Sequence, residues 1–215
     1  MSSIAAVPLA PSRRRVLADV IARPSSRARA FAVDAALVLA GVALVALLAK
    51  VSFFIGPVPI TGQTLGVILV GASLGAVRGA ASLTTYMLVG LAGLPVFAGP
   101  VAGPAYVLSP SFGFIVGFIP AAFVAGWFAQ RAWDRKPLLA FSGFVVASII
   151  PFLVGVPYMA FILSAVMGVD ITFVSVMEAG VLPFIAGGLI KAAVAAIAIP
   201  LAWRGVRALD ARKAG

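Results

Sequence analysis

The chain has 215 residues, 63% of them hydrophobic and 10% charged, with a mean hydropathy of +1.17 and a net charge of +10. Soluble domains average about 25% charged residues, so this composition is that of an integral membrane protein, with length for about six spans. Cys and His are both absent, which excludes disulfides, thiol nucleophiles, imidazole bases and His/Cys metal sites.

The first 30 residues carry six arginines against one acid, Asp19. No apolar run suited to a signal peptide precedes the first long hydrophobic segment. Residues 1–30 are therefore expected to be a flexible basic cytoplasmic tail near anionic lipid, and not an organelle transit peptide. The first span is expected from Phe31 to Ile55. Ala32, Ala36 and Ala40 repeat on one face of it, a spacing that lets another helix approach closely. That pattern is weak alone, because Ala is abundant throughout the chain.

The stretch Gly56-Pro57-Val58-Pro59-Ile60-Thr61-Gly62-Gln63-Thr64 gathers polar but uncharged side chains between two apolar segments. Its two prolines cannot continue a helix. The chain is expected to bend here at a membrane edge and to present Thr61, Gln63 and Thr64 beside an apolar interior. A small polar ligand is held in this way; an ordinary interhelical turn with a helix cap would read the same locally.

Leu65–Val77 and Gly79–Gly93 flank Arg78. An arginine at mid-membrane costs about 2.5–3.5 kcal/mol on insertion scales, so a tight turn is expected at Arg78-Gly79, dividing two short helices. Glycines 71, 75 and 79 read as close helix packing, not as a phosphate loop. Residues 94–110 hold four prolines, at 95, 100, 104 and 110, and no charge. Such a segment is no regular helix and is too apolar for an ordinary water-facing loop, so an inward-folded lid is expected. Ser111–Gln130 spans next, followed by a basic turn with Arg131, Asp134, Arg135 and Lys136. Leu138–Met167 is the fifth span, bent near Pro151 and Pro157. An acidic turn, 168–180, and a sixth span, Val181–Trp203, lead to a basic tail, 204–215.

With six spans and an inner N-terminus, fourteen of the sixteen Lys and Arg residues fall on the cytoplasmic side, leaving Lys50 and Lys191. Five spans would put seven basic residues outside, against the positive-inside rule. The basic excess is thus read as topology, with no nucleic-acid partner implied. Both termini are expected in the cytoplasm.

Lys191 lies about ten residues, or roughly 15 Å, into the sixth span. That depth is uncomfortable for snorkelling, and Glu178, 13 residues earlier, is about 20 Å away along a helix. A buried ammonium without an acidic partner suggests a ligand anion; a hydrated, cavity-facing lysine is the plain alternative. No pair of carboxylates is placed for catalysis: Asp19, Asp134 and Asp210 fall in cytoplasmic segments, and Asp34 suits the first helix's N-terminal dipole. No catalytic residue, metal or cofactor is assigned.

Several runs together are similar to one family. Pro57–Thr64 resembles the VPxTxQT signature of BioY, the biotin-binding S component of energy-coupling factor (ECF) transporters. Leu74-Gly75-Ala76-Val77-Arg78-Gly79 resembles its LGxxxG turn. Tyr86 with Gly90–Gly99 resembles YxxxGxxGLPVFAGG, Ser109–Phe114 stands where the family has GPTGGY, and Pro183–Lys191 resembles PFLPGDLIK. The resemblance runs in register over roughly residues 35–200. It implies an all-α fold of six transmembrane helices, a membrane domain over 31–203, and biotin captured from outside beneath the outer loops. It also implies partners, a transmembrane coupling protein and two cytoplasmic ABC ATPases, in a multi-pass protein of the bacterial plasma membrane. Docking of the coupling protein maps onto Ala32, Ala36 and Ala40.

The chain departs from the family pattern at Gly188, where the family has Asp, at Ser109, Phe112 and Phe114 in the GPTGGY run, and at Pro100. The loss at Gly188 removes an acceptor for a ureido N–H. Chemically, biotin brings a ureido ring, an apolar body and a carboxylate. Gln63 can donate to the ureido oxygen and accept from N–H; Thr61 and Ser109 can serve similarly. Tyr86, Phe97 and Tyr158 can cover the rings, and Lys191 can meet the carboxylate, although the missing Asp permits the reverse orientation. The competing readings are an S component for another vitamin, a membrane enzyme acting on a lipid-borne substrate, and a structural membrane partner.

Overall fold

A computed structural model describes residues 15–21 and 26–214. Among the described residues the regular elements are helices apart from one short hairpin. A five-residue helix, α1 (Leu17–Ile21), precedes α2 (Arg27–Lys50), which Ser26 caps by accepting from the Arg29 N–H. α2 starts four residues before the expected Phe31 and ends at Lys50, not Ile55. The β-branched and aromatic run beyond it favours extended backbone, and β1 (Ser52–Phe53) pairs antiparallel with β2 (Ile60–Thr61) around the two prolines. Then follow α3 (Gln63–Leu74), α4 (Ala76–Leu91), α5 (Phe112–Ala129), α6 (Pro137–Phe161, continued by a π turn to Val166), α7 (Phe173–Gly180) and α8 (Leu182–Ala214). The basic 204–215 segment thus continues α8 through Ala214. Of the basic 1–30 segment, Arg13, Arg14 and Arg23 lie outside the described residues. Val16, Leu17 and Ala18 are buried.

The break between α3 and α4 falls at Gly75, three residues before the expected Arg78-Gly79 turn. Gly75 has φ +87°, a conformation that costs other residues a Cβ clash. Arg78 therefore lies in the first turn of α4. Its charge is met by Asp19 at 2.6 Å and Asp34 at 2.8 Å. Because α2 already begins at Arg27 and has no acid in its first turn, Asp34 lies two turns into the helix and serves as an ion-pair partner, not as the expected complement to the helix dipole.

Four segments meet at this end of the bundle. Asp19 reaches Arg78, Val16 lies beside Gly75, Arg135 donates to the Arg15 carbonyl at 3.0 Å, and the Trp203 indole N–H donates to Asp134. Asp134 is 1% exposed, and burial pushes its pKa up to about 6 against the opposing pull of Trp203 and Arg135. The hairpin and the 94–110 loop cap the other end.

Among the described residues, four segments are long and apolar enough to cross a membrane: 27–50, 112–129, 137–166 and 173–209. α3, at 12 residues, is apolar but shorter, and α4 has 16 residues. The large exposed apolar side chains, such as Leu39, Leu47, Leu153, Ile190, Ile197 and Leu201, would be a liability in water and suit acyl chains. α8 turns Ala192, Ala195, Ala196, Ile199 and Trp203 inward.

Candidate functional site: a pocket beneath the hairpin

A pocket opens below the hairpin, among α3, α5, α6 and α8. Apolar walls come from Ile115 and Phe118 of α5, Phe152 of α6 and Phe184 of α8. Polar groups enter from three directions: Thr61, Gln63 and Thr64 from β2 and the start of α3, Tyr106 and Ser111 from the loop before α5, and Lys191 from α8.

The hairpin explains how the polar run is held. The Gly62 N–H donates to the Val51 carbonyl at 2.9 Å, closing the turn onto the end of α2. Thr61 then donates its hydroxyl to the Gln63 side-chain oxygen at 2.9 Å and accepts the Gln63 backbone N–H at 3.2 Å. The Gln63 amide donates to the Tyr86 hydroxyl at 2.7 Å, and Tyr86 donates on to the Val96 carbonyl at 2.9 Å. Gln63 is 5% exposed. It is oriented from both sides, and one amide N–H remains to offer to a ligand.

Lys191 is half-buried. Its ammonium donates to the Thr61 carbonyl at 2.5 Å and the Thr64 hydroxyl at 3.1 Å. Both acceptors are neutral, and the two ion pairs among the described residues belong to Arg78. The positive charge of Lys191 is thus solvated by dipoles and not cancelled, an arrangement suited to an anionic ligand group.

Across the pocket, Ser111 joins two other hydroxyls, Tyr106 at 3.1 Å and Ser109 at 2.8 Å. Ser111 and Tyr106 line the pocket, and Ser109 stands behind them. Three of the residues proposed from sequence, Thr61, Gln63 and Lys191, thus share the pocket wall. Tyr86 and Phe97 form a layer behind it: both are fully buried, edge to face at 5.5 Å, and Phe97 lies 4.3 Å from the Tyr106 ring. Tyr158 stands outside the lining. It donates to the Val107 carbonyl and packs its ring 5.9 Å from Phe112, bracing the loop from α6.

Sequence reasoning singled out neither Ser111 nor Tyr106 nor Ser148, which also faces the pocket. Ser111 follows Ser109 by two residues, and a pair of hydroxyls around a proline before a helix was the available signal. Gly188 lines the pocket one turn before Lys191, and a Cβ there would meet nothing within 4 Å. The missing carboxylate has therefore left open space, not a filled wall.

On α2, Ala32, Ala36 and Ala40 are exposed, whereas Gly41, Val42, Val45 and Ala49 are buried. At 3.6 residues per turn the two sets occupy opposite faces.

A family model described as the BioY family matches residues 21–208. A protein described as "Biotin transporter BioY" from Rhizobium etli is 38% identical over 169 residues, covering 75% of this chain and 87% of that protein. One of the same description from Thermotoga maritima is 35% identical over 167 residues, covering 75% and 91%. A solved structure described as the S-component for biotin from an ECF-type ABC transporter superposes with a TM-score of 0.63 at 22% identity, over 84% of this chain and 95% of that one. At that identity the likeness is one of fold.

Proposed function

The chain belongs to the BioY family, and from that premise we propose that it is the substrate-capture subunit of a biotin uptake transporter. It takes biotin from the outer face of a bacterial plasma membrane and delivers it inward with an ATP-driven module. The observation that carries this reading is Lys191, an uncancelled cation inside an apolar pocket that also holds an oriented amide and a hydroxyl cluster. These groups answer the carboxylate and the ureido ring of biotin, and Phe152, Phe184 and Phe118 answer its apolar body. The test is mass spectrometry of small molecules that co-purify with the detergent-solubilised protein. Biotin is expected, and another vitamin recovered in its place would redirect the substrate assignment.

In this reading α2, α3, α4, α5, α6 and α8 are the six crossings, with both termini in the cytoplasm. Support comes from the shared end of the bundle described above, which gathers the N-terminal segment, Arg78 and the 131–136 turn on one side. The chain has no native cysteine, so Lys136→Cys gives a single label at an exposed position of that turn. A membrane-impermeant maleimide applied to intact cells is expected to leave it unmodified. Reaction from outside would overturn the orientation.

The outward alanine face of α2 is proposed as the docking surface for a transmembrane coupling protein that carries two ABC ATPases. Small side chains permit close helix approach. Ala36→Leu is expected to spare biotin binding and to reduce co-purification of the partner subunits severalfold. Unchanged recovery of the partners, with Ala32→Leu and Ala40→Leu behaving the same way, would remove this face from the interface.

A further inference from the structure

The loop over the pocket is tied down by side chains, and one of those ties comes from a residue with no part in the pocket wall. Lys50, the last residue of α2, donates its ammonium to the Pro95 carbonyl at 2.7 Å and to the Phe97 carbonyl at 3.0 Å. The carbonyl between them, Val96, accepts from Tyr86 of α4. Three consecutive carbonyls of an irregular, proline-rich loop are thus each held by a side chain, from two different helices. The loop has scattered backbone bonds, such as the Leu94 N–H to the Val89 carbonyl at 3.2 Å and the Val96 N–H to the Leu94 carbonyl at 2.8 Å, and the side-chain contacts add its ties to α2 and α4.

We propose that Lys50 is a positioning residue that staples the 94–110 loop shut over the pocket and so sets how long a captured ligand stays; the proposal rests on the capture reading above. The path from staple to pocket is short. Phe97 is fully buried between Tyr86 and Tyr106. Tyr106 lines the pocket, and Tyr86 holds the Gln63 amide that also lines it. Phe97 seats where Gly90 leaves room, since a Cβ on Gly90 would lie 2.1 Å from its ring, and the Gly103 N–H closes the far side of the loop onto the Gly90 carbonyl at 2.8 Å. Releasing Pro95 and Phe97 from Lys50 therefore loosens two pocket residues together. Lys50 makes no ion pair among the described residues, so its charge is committed to these carbonyls and to the C-terminal dipole of α2. A lysine that merely snorkelled to the interface would have no reason to converge on two carbonyls 45 and 47 residues away. Because α2 also bears the outward alanine face, the staple joins the loop to the helix proposed for docking.

The experiment compares wild type, Lys50→Met and Lys50→Arg, each with and without a single reporter cysteine. Ala98→Cys reports loop opening, since Ala98 belongs to the loop and is buried at 6% exposure, and Ala122→Cys in the core of α5 is the control. Dissociation of radiolabelled biotin is followed by chase with unlabelled biotin. Lys50→Met is expected to speed dissociation about tenfold, as loss of charge-assisted hydrogen bonds would. It should accelerate maleimide labelling at residue 98 but not at residue 122, and Lys50→Arg should restore both rates. Dissociation and residue-98 labelling within twofold of wild type, or equal acceleration at residue 122, would overturn the staple. If wild type binds no biotin the capture reading fails by itself, and the labelling comparison still decides whether Lys50 holds the loop.

Discussion

Replacing Lys191 with Met is expected to weaken biotin binding by roughly 30- to several-thousand-fold while the protein still inserts and folds. Met keeps much of the stem volume and removes the charge. Insertion should not suffer, because a charge at mid-membrane is itself costly by about 2.5–3.5 kcal/mol. In the folded protein the Thr61 carbonyl and the Thr64 hydroxyl lose a donor; the hydroxyl can turn to another acceptor, and the carbonyl lies at a pocket wall where water can replace the ammonium. The ligand's carboxylate has no such recourse once the pocket closes around it. Truncating one side of a desolvated charge pair costs about 2–5 kcal/mol, which is the stated range of affinity. A neutral biotin amide should lose much less between wild type and variant. Equilibrium binding of both ligands to both proteins checks this. Equal losses for the two ligands would show that Lys191 does not read the carboxylate, and no loss for either would leave Lys191 a packing residue.

Lys191 was legible because its oddity is compositional: a lysine deep in an apolar helix is expensive wherever it points. The polar run 61–64 was legible for a related reason, since two prolines force a bend and the hydroxyls and amide beside it must face something. The hairpin that presents them was not, because two-residue strands leave no period to read. The glycine break was misplaced by three residues. Arg78 was treated as a charge needing escape, when Asp19 and Asp34, 59 and 44 positions away, reach it instead. Long-range pairing of that kind leaves no mark on local pattern. The same reason hid the role of the aromatic residues: the family resemblance suggested that Tyr86, Phe97 and Tyr158 could cover a ligand's rings, but the path of the 94–110 loop puts them behind or beside the wall as its supports. Tyr106 and Ser111 form the wall because the segment before α5 brings both to the pocket.

Substituting Gly126 with Leu is expected to abolish recovery of folded, biotin-binding protein. Gly126 lies on α5 where that helix crosses the joint between α3 and α4. A Cβ there would fall 2.3 Å from both the Ala76 nitrogen and the Gly75 carbonyl carbon, and 2.7 Å from the Ala76 Cα. All three are backbone atoms, so no rotamer change can make room. One turn earlier on α5, the Ala122 carbonyl closes on Gly71 in the same way, since a Cβ on Gly71 would lie 2.4 Å from it. α5 therefore rests in the crook of a hairpin whose bend is pinned by the positive φ of Gly75. Overpacking a core by a few methylenes costs about 1–3 kcal/mol when side chains can give way, and here the cost must exceed that because main chain would have to move. Separating α5 from α3 also pulls Ile115 and Phe118 away from Gln63 and Thr64, so the pocket fails with the fold. Gly126→Ala is expected to retain part of the yield, and Gly188→Ala, whose Cβ meets nothing within 4 Å, nearly all of it. The measurement is the monodisperse fraction after detergent extraction, followed by biotin binding on that fraction. Wild-type yield and affinity for Gly126→Leu would show that α5 does not sit against the glycine joint.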